Sequence, residues 1–378
     1  MSGNPTEAAT EPVTRRTVMH AAGAVLAVGG LAAFSRTNSA ASPALTPRQL
    51  AGQRVIYSYT GLTVPDSLLD QIKAGLAGGV IFYGDNISSL SQIAAAINEL
   101  EKARLASPVK TPLLLMTDQE GGEVRRLPGA PVLSEKEIGE SKHPVTEARE
   151  AGEGAGKLLR SVGMNVNLAP VLDVYRKAGD FDDQYQRSYS NNPKVCAECG
   201  QAFITAQQLT GVAATSKHFP GLGAATASED TDVEPVTLDV SLNDLRTIDE
   251  LPYHSAIAAG VKLILVSWAV YPALDPKYPA GLSSRIVQGE LRDRLGFRGV
   301  TITDALEAGA LEHFGSTAER SVLAAQAGMD VIMCASQDVS QGEQAVASLA
   351  SAYESKKLPQ AQFLDAVNRI LALRKTLP

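Results

Sequence analysis

About eight times along this 378-residue chain, a short apolar run rich in β-branched residues is followed by a longer amphipathic stretch. The apolar runs fall at 54–60, 80–83, 113–117, 164–171, 212–216, 263–268, 300–303 and 331–334. Helical periodicity marks 66–76, 88–105, 145–162, 193–209, 241–259, 283–295, 317–327 and the remainder to 377. In the first of these, Leu68, Leu69, Ile72 and Leu76 share one face. Continuously apolar strands indicate a parallel sheet covered on both sides, and the alternation makes the class α/β. Eight units in about 330 residues predict one (β/α)8 barrel of TIM type rather than an open doubly wound sheet. No strand leads into a Gly-rich dinucleotide fingerprint, which also weighs against the open sheet.

Residues 1–41 read as a leader. Thr14-Arg15-Arg16-Thr17-Val18-Met19 is a twin-arginine pattern, an apolar run follows over 18–34, and Asn38-Ser39-Ala40 offers the small residues a signal peptidase accepts. The run is shorter than the ~20 residues of a membrane span. The expectation is export by the twin-arginine route to the cell wall or beyond, with membrane contact only in transit. One catalytic domain is expected over 42–378.

A barrel of this kind builds its site from the loops at the C-terminal strand ends. Those positions hold Asp118, Asp173, Lys217, His218, Trp268 and Asp304. Asp118 opens Asp118-Gln119-Glu120-Gly121-Gly122-Glu123-Val124-Arg125-Arg126, where the twin glycines allow a turn that carries Arg126 back over the pocket. A polar loop after Asp173 reaches Arg187. Singly, a strand-end Asp is often a helix cap, and His218 a hydrogen-bonded core residue. Convergence on one face favours a site.

Carboxylates, an amine, guanidinium groups and an indole together suit a polyhydroxylated ring. Charged groups fork vicinal hydroxyls, and an aromatic face covers the apolar side of a sugar. The net charge of −7 argues against a nucleic-acid partner. With no phosphate loop or metal-ligand cluster, neither cofactor nor metal is expected. Cys196 and Cys199 form C-x-x-C without a second pair and read as incidental helix cysteines. Nothing here speaks to oligomeric state.

The Asp-Gln-Glu-Gly-Gly turn at Asp118, the Ala169-Pro170-Val171-Leu172-Asp173-Val174 run, the Lys217-His218-Phe219-Pro220-Gly221 block and Thr303-Asp304-Ala305-Leu306 occur in barrel order. Together they resemble glycoside hydrolase family 3, in its single-domain β-N-acetylhexosaminidase-like branch, from about residue 46 onward. The resemblance implies a retaining β-glycosidase acting on β-linked N-acetylglucosamine or glucose, with peptidoglycan or chitin fragments as candidate substrates. It makes Asp304 the nucleophile and places Asp118, Arg126, Arg187, Lys217 and His218 around the bound sugar. Trp268 joins them as the expected aromatic face.

One departure stands out. The family's Asp-x-His pair, which supplies the acid/base, is replaced at the corresponding positions by Ser228 and Asp230, and Leu222 stands where a His is usual. Trp268 also occupies a place often held by His. Asp230 is the first candidate for the acid/base, with Glu229 and Asp232 as rivals. A catalytically impaired, glycan-binding barrel and a phosphorolytic or transglycosylating variant are the alternatives this departure leaves open.

Overall fold

Alternate residues of each apolar run separate into two cores. Ile56, Ile81, Leu114, Met116, Val166, Ala213, Leu265, Ile302 and Met333 pack together on the inside. Their neighbours in sequence, including Tyr57, Val80, Leu115, Ala214, Val266 and Ile332, pack outward against the helices. This period of two is what a strand imposes on its side chains, and each fully buried aliphatic side chain contributes roughly 1.5–3 kcal/mol.

The computed structural model describes residues 45–378, so the leader expected over 1–41 lies outside the described residues. Eight parallel strands close into a barrel: β1 (Val55–Tyr57), β2 (Gly79–Ile81), β3 (Leu114–Thr117), β4 (Val166–Asn167), β5 (Ala213–Phe219), β6 (Leu263–Val266), β7 (Val300–Ala305) and β8 (Val331–Met333). β8 returns to pair with β1 through Val55–Ile332 and Ile56–Met333. Gly79 is needed where it stands, because a Cβ there would strike the Leu114 carbonyl and the Ile56 side chain. The predicted (β/α)8 barrel is therefore the observed fold.

Three expectations shift, and two of them bear on the site. β5 and β7 run past 216 and 303, so Lys217, His218 and Asp304 belong to the strands themselves. The run at 164–171 forms only two ladder residues. Pro170 has no N–H to continue the ladder, and Val171 makes a single bridge to Lys217. The C-terminal stretch is two helices, Val339–Glu354 and Gln360–Arg374, separated near Pro359, which disfavours helical backbone before it.

Cys196 and Cys199 lie buried and unpaired in the helix Pro193–Leu209. Burial raises both thiols, that of Cys199 to about 12, so neither is a thiolate at neutral pH. No helix among the described residues is long and apolar enough to cross a membrane.

Candidate active site

The top of the inner core is the floor of a cavity of about 200 Å³, formed by Ile81, Leu168, Leu265 and Met333. Its walls carry Tyr83, Asp118, Arg126, Arg187, Lys217, His218, Asp230, Asp232 and Asp304. The volume is below the ~300–1,000 Å³ of sites for drug-sized ligands and suits a single pyranose ring. Seven of the eight residues expected at the site reach it. Trp268 does not.

Lys217 is the hub of one wall. Its Nζ lies 2.6 Å from Asp118 Oδ1 and 2.7 Å from Glu120 Oε1. Arg187 donates to the same Glu120 through Nε and Nη2, each at 2.9 Å, and through Nη1 to Asp182 at 3.2 Å. Burial pushes the Glu120 carboxyl upward, but the charges of Arg187 and Lys217 outweigh it and hold the group at about 2. Burial likewise works against the Lys217 ammonium, and Asp118 and Glu120 more than offset it. Both cations thus stay charged inside a nearly dry wall. Arg126, carried over the cavity by the short hairpin Gln119–Gly121 and Val124–Arg125, keeps an enclosed Nε without a partner. It is a donor available to a ligand.

Next to Lys217 on the same strand, His218 Nδ1 sits 2.6 Å from Asp173 Oδ2. Burial, and then repulsion from Arg187, lower the imidazole to about 4, so the ring is neutral. Burial raises Asp173 to about 6 despite hydrogen bonds from the Leu222 and His218 N–H groups. Burial and then Asp173 raise Asp182 to about 7. Asp173, Asp182 and His218 bring potential ligand atoms within 4.8 Å of one another. Each is already engaged, His218 with Asp173 and Asp182 with Arg187, so the cluster is a positioning network behind the cavity wall.

Asp304 accepts the N–H of Ala305 at 2.8 Å. Its carboxyl is raised by burial first and by Asp232 second, with Lys217 pulling the other way. Asp232, which keeps solvent access at the cavity mouth, is raised by partial enclosure of its carboxyl and by Asp230. A carboxylate set beside a second carboxyl that raises it is the kind of pair from which acid and nucleophile roles can be divided.

The acidic loop resolves into distinct roles. Glu229 accepts the N–H and hydroxyl of Thr226 at 2.7 and 2.8 Å, so it caps its own turn and lies off the cavity. Asp230 Oδ1 accepts the N–H of Asp232 at 2.9 Å. The Gly309 and Ala310 N–H groups donate to the carbonyls of Asp232 and Thr231 at 2.8 and 3.0 Å, pinning the loop to the chain beyond β7.

The expectation for Trp268 is corrected. Its side chain is fully buried, and its indole N–H donates to the Ala305 carbonyl at 2.8 Å. β6 ends at Val266, and the antiparallel pair Val270–Tyr271 and Asp275–Pro279 folds back over the segment. That cover puts the ring behind β7, packed on Gly281, instead of on the cavity wall.

Sequence reasoning missed Glu120, Tyr83 and Asp182. Tyr83 stands directly beyond β2, a strand-end position that the same reading would have captured. Glu120 lies two residues past Asp118, in a turn already singled out. Asp182 belongs to a four-residue helix in a loop and carries no sequence signal. A shallower groove of about 900 Å³ runs along the outer helices past Val145, Arg160 and Leu209, and no catalytic carboxylates converge there.

The sequence profile described as Glycosyl hydrolase family 3 N terminal domain matches residues 55–373. An uncharacterised secreted glycosyl hydrolase of Arthroderma benhamiae is 45% identical over 348 residues, covering 91% of this chain and 98% of the relative. The solved structure of a glycoside hydrolase family 3 β-N-acetylglucosaminidase from a Paenibacillus strain superposes with a TM-score of 0.83 at 34% identity. That match covers 88% of this chain, which spans 63% of the Paenibacillus protein. A β-N-acetylhexosaminidase from Beutenbergia cavernae superposes with a TM-score of 0.80 at 31% identity, covering 88% of this chain and 99% of that one.

Proposed function

The chain belongs to glycoside hydrolase family 3, and on that premise we propose that it removes terminal β-linked N-acetylglucosamine with retention of configuration. The observation that carries this reading is the meeting of Asp304 with Asp118, Lys217, His218 and two arginines in a cavity of single-ring size. Asp304 attacks the anomeric carbon as the glycosidic bond breaks, and water later displaces it. Asp118 and Lys217 fork neighbouring hydroxyls. His218, with Nδ1 engaged by Asp173, offers Nε2 to the sugar, and Arg126 offers its free N–H. These contacts hold the ring in the attacking geometry and tighten as positive charge develops at the anomeric carbon. The acid/base comes from the loop 230–232.

The two β-N-acetylglucosaminidase-type neighbours support an amino-sugar substrate. Export is supported by the secreted relative and the twin-arginine leader, and wall or chitin fragments are the substrates such an enzyme would meet. An aryl N-acetyl-β-glucosaminide should be hydrolysed with the β-anomer appearing first by NMR. A fluorosugar inactivator should add its mass to the peptide holding Asp304. No hydrolysis at any pH, together with no adduct, would sink the reading.

A further inference from the structure

A second cavity, of about 380 Å³, adjoins the first at its mouth. The two share Tyr83, Asp232 and Ala305, and the outer one adds Glu307, Ser336 and Gln337. A glycosidic oxygen lies between the ring that is attacked and the group that departs. Its proton donor must therefore stand where the two spaces meet. Of the loop's carboxylates, Asp232 lines both cavities, whereas Asp230 lines only the inner one and Glu229 neither.

We infer that Asp232 protonates the departing oxygen and that the outer cavity receives the leaving group, here a polar one such as a second sugar. This deepens the glycosidase reading above and rests on it. The placement is held from two sides. Asp230 accepts the Asp232 N–H, and on the other side the Gly309 N–H donates to the Asp232 carbonyl at 2.8 Å. The loop is thereby tied to the segment that follows the strand carrying Asp304. Asp232 is exposed at the cavity mouth, so water can reach it in the second half of the reaction. The charged groups acting on it are Asp230, Arg187, Glu307 and Asp118, and it is in turn the strongest charge on Asp304.

The chemistry balances. The Asp232 proton passes to the glycosidic oxygen as the bond from that oxygen to the anomeric carbon breaks and an Asp304 oxygen bonds to the carbon. The Asp232 carboxylate then takes a proton from water, whose oxygen bonds to the carbon and releases Asp304. The outer cavity's Glu307, Ser336 and Gln337 supply polar groups for the hydroxyls of the departing sugar.

The test compares Asp232→Ala and Asp230→Asn on N,N′-diacetylchitobiose and on 2,4-dinitrophenyl N-acetyl-β-glucosaminide. Asp232→Ala should lose about 10²–10⁴-fold in kcat/KM on the disaccharide and far less on the dinitrophenyl substrate, which needs no proton to depart. Azide should restore dinitrophenyl turnover in this variant and yield the β-glycosyl azide. Its pH profile should lose the basic limb. Disaccharide activity in Asp232→Ala within a few-fold of wild type, or azide rescue in Asp230→Asn instead, would overturn the assignment. Labelling of Asp304 in the wild type separates the outcomes: its failure removes the glycosidase reading, whereas its success beside an unimpaired Asp232→Ala removes only this inference. Asp232 is an exposed loop residue, and matched thermal melts verify that the variant folds.

Discussion

Glu120 meets Arg187 through two parallel hydrogen bonds, Nε to Oε2 and Nη2 to Oε1, both 2.9 Å long and both enclosed. The same carboxylate also lies 2.7 Å from the Lys217 ammonium. One buried anion therefore holds two of the cations that face the cavity.

Removing that anion should be costly. Glu120→Ala leaves Lys217 with Asp118 and Arg187 with Asp182 as their remaining partners and removes the carboxylate between them, at a cost approaching the about 3–5 kcal/mol of a broken buried pair. It also frees Arg187 and Lys217 to swing from the sugar, so KM should rise. Urea denaturation and steady-state kinetics read the two effects separately. Unchanged stability would mean that water already solvates the wall.

The Asp173–Asp182 pair makes stability depend on pH. The folded carboxyls sit at about 6 and about 7, against about 4 in an unfolded chain. The folded state therefore retains protons that the unfolded state releases, and this share of stability declines as pH rises from about 4 to 7. His218, lowered to about 4, acts in the opposite sense, since the unfolded chain binds its proton more readily. Asp182→Asn removes one declining share only. The Tm lead of wild type over this variant should narrow as pH rises through that window, and a constant lead would contradict the raised Asp182 carboxyl.

Trp268 supports the end of β7, the strand that carries Asp304, and Trp268→Phe tests that. Loss of its hydrogen bond leaves the Ala305 carbonyl with the Ala308 N–H at 3.2 Å as its remaining partner, at about 0.5–1.5 kcal/mol. Because Ala305 follows Asp304, kcat should fall while KM stays near its wild-type value. A sugar-stacking role would instead show as a large rise in KM.

Gly309 lets the acidic loop lie close, since a Cβ there would meet the Val233 backbone. Gly309→Ala should displace the loop without unfolding the barrel. A misplacement near 1 Å costs roughly 10²-fold, so disaccharide hydrolysis should fall by about that factor, and dinitrophenyl hydrolysis by much less. Equal losses on both substrates would show that the loop does something other than proton transfer.

Much of this arrangement was readable before any coordinates. The eight apolar runs predicted the closed barrel because strands buried on both faces are continuously apolar and alternate with amphipathic helical stretches. Lys217, His218 and Asp304 were found because strand ends in such a barrel face one common side. Trp268 was misplaced by the same rule: the hairpin that covers it is a tertiary event, and no local pattern distinguishes a covered strand end from an open one. Counting from Lys217 put Asp230 ahead of Asp232, and only their places beside the two cavities distinguish them.

By itself the sequence determined the barrel, the family and the group of polar side chains that gather at one end, because each follows from local periodicity or from residues at a strand's last position. Only the tertiary structure decided which of those side chains reach a ligand, which ones anchor others, and where the two cavities meet. Those outcomes depend on distances between segments far apart in the chain, such as Lys217 to Asp118 at 2.6 Å and Asp232 to Gly309 at 2.8 Å. Closing the barrel is what sets such distances, and with them the charge that each carboxyl carries.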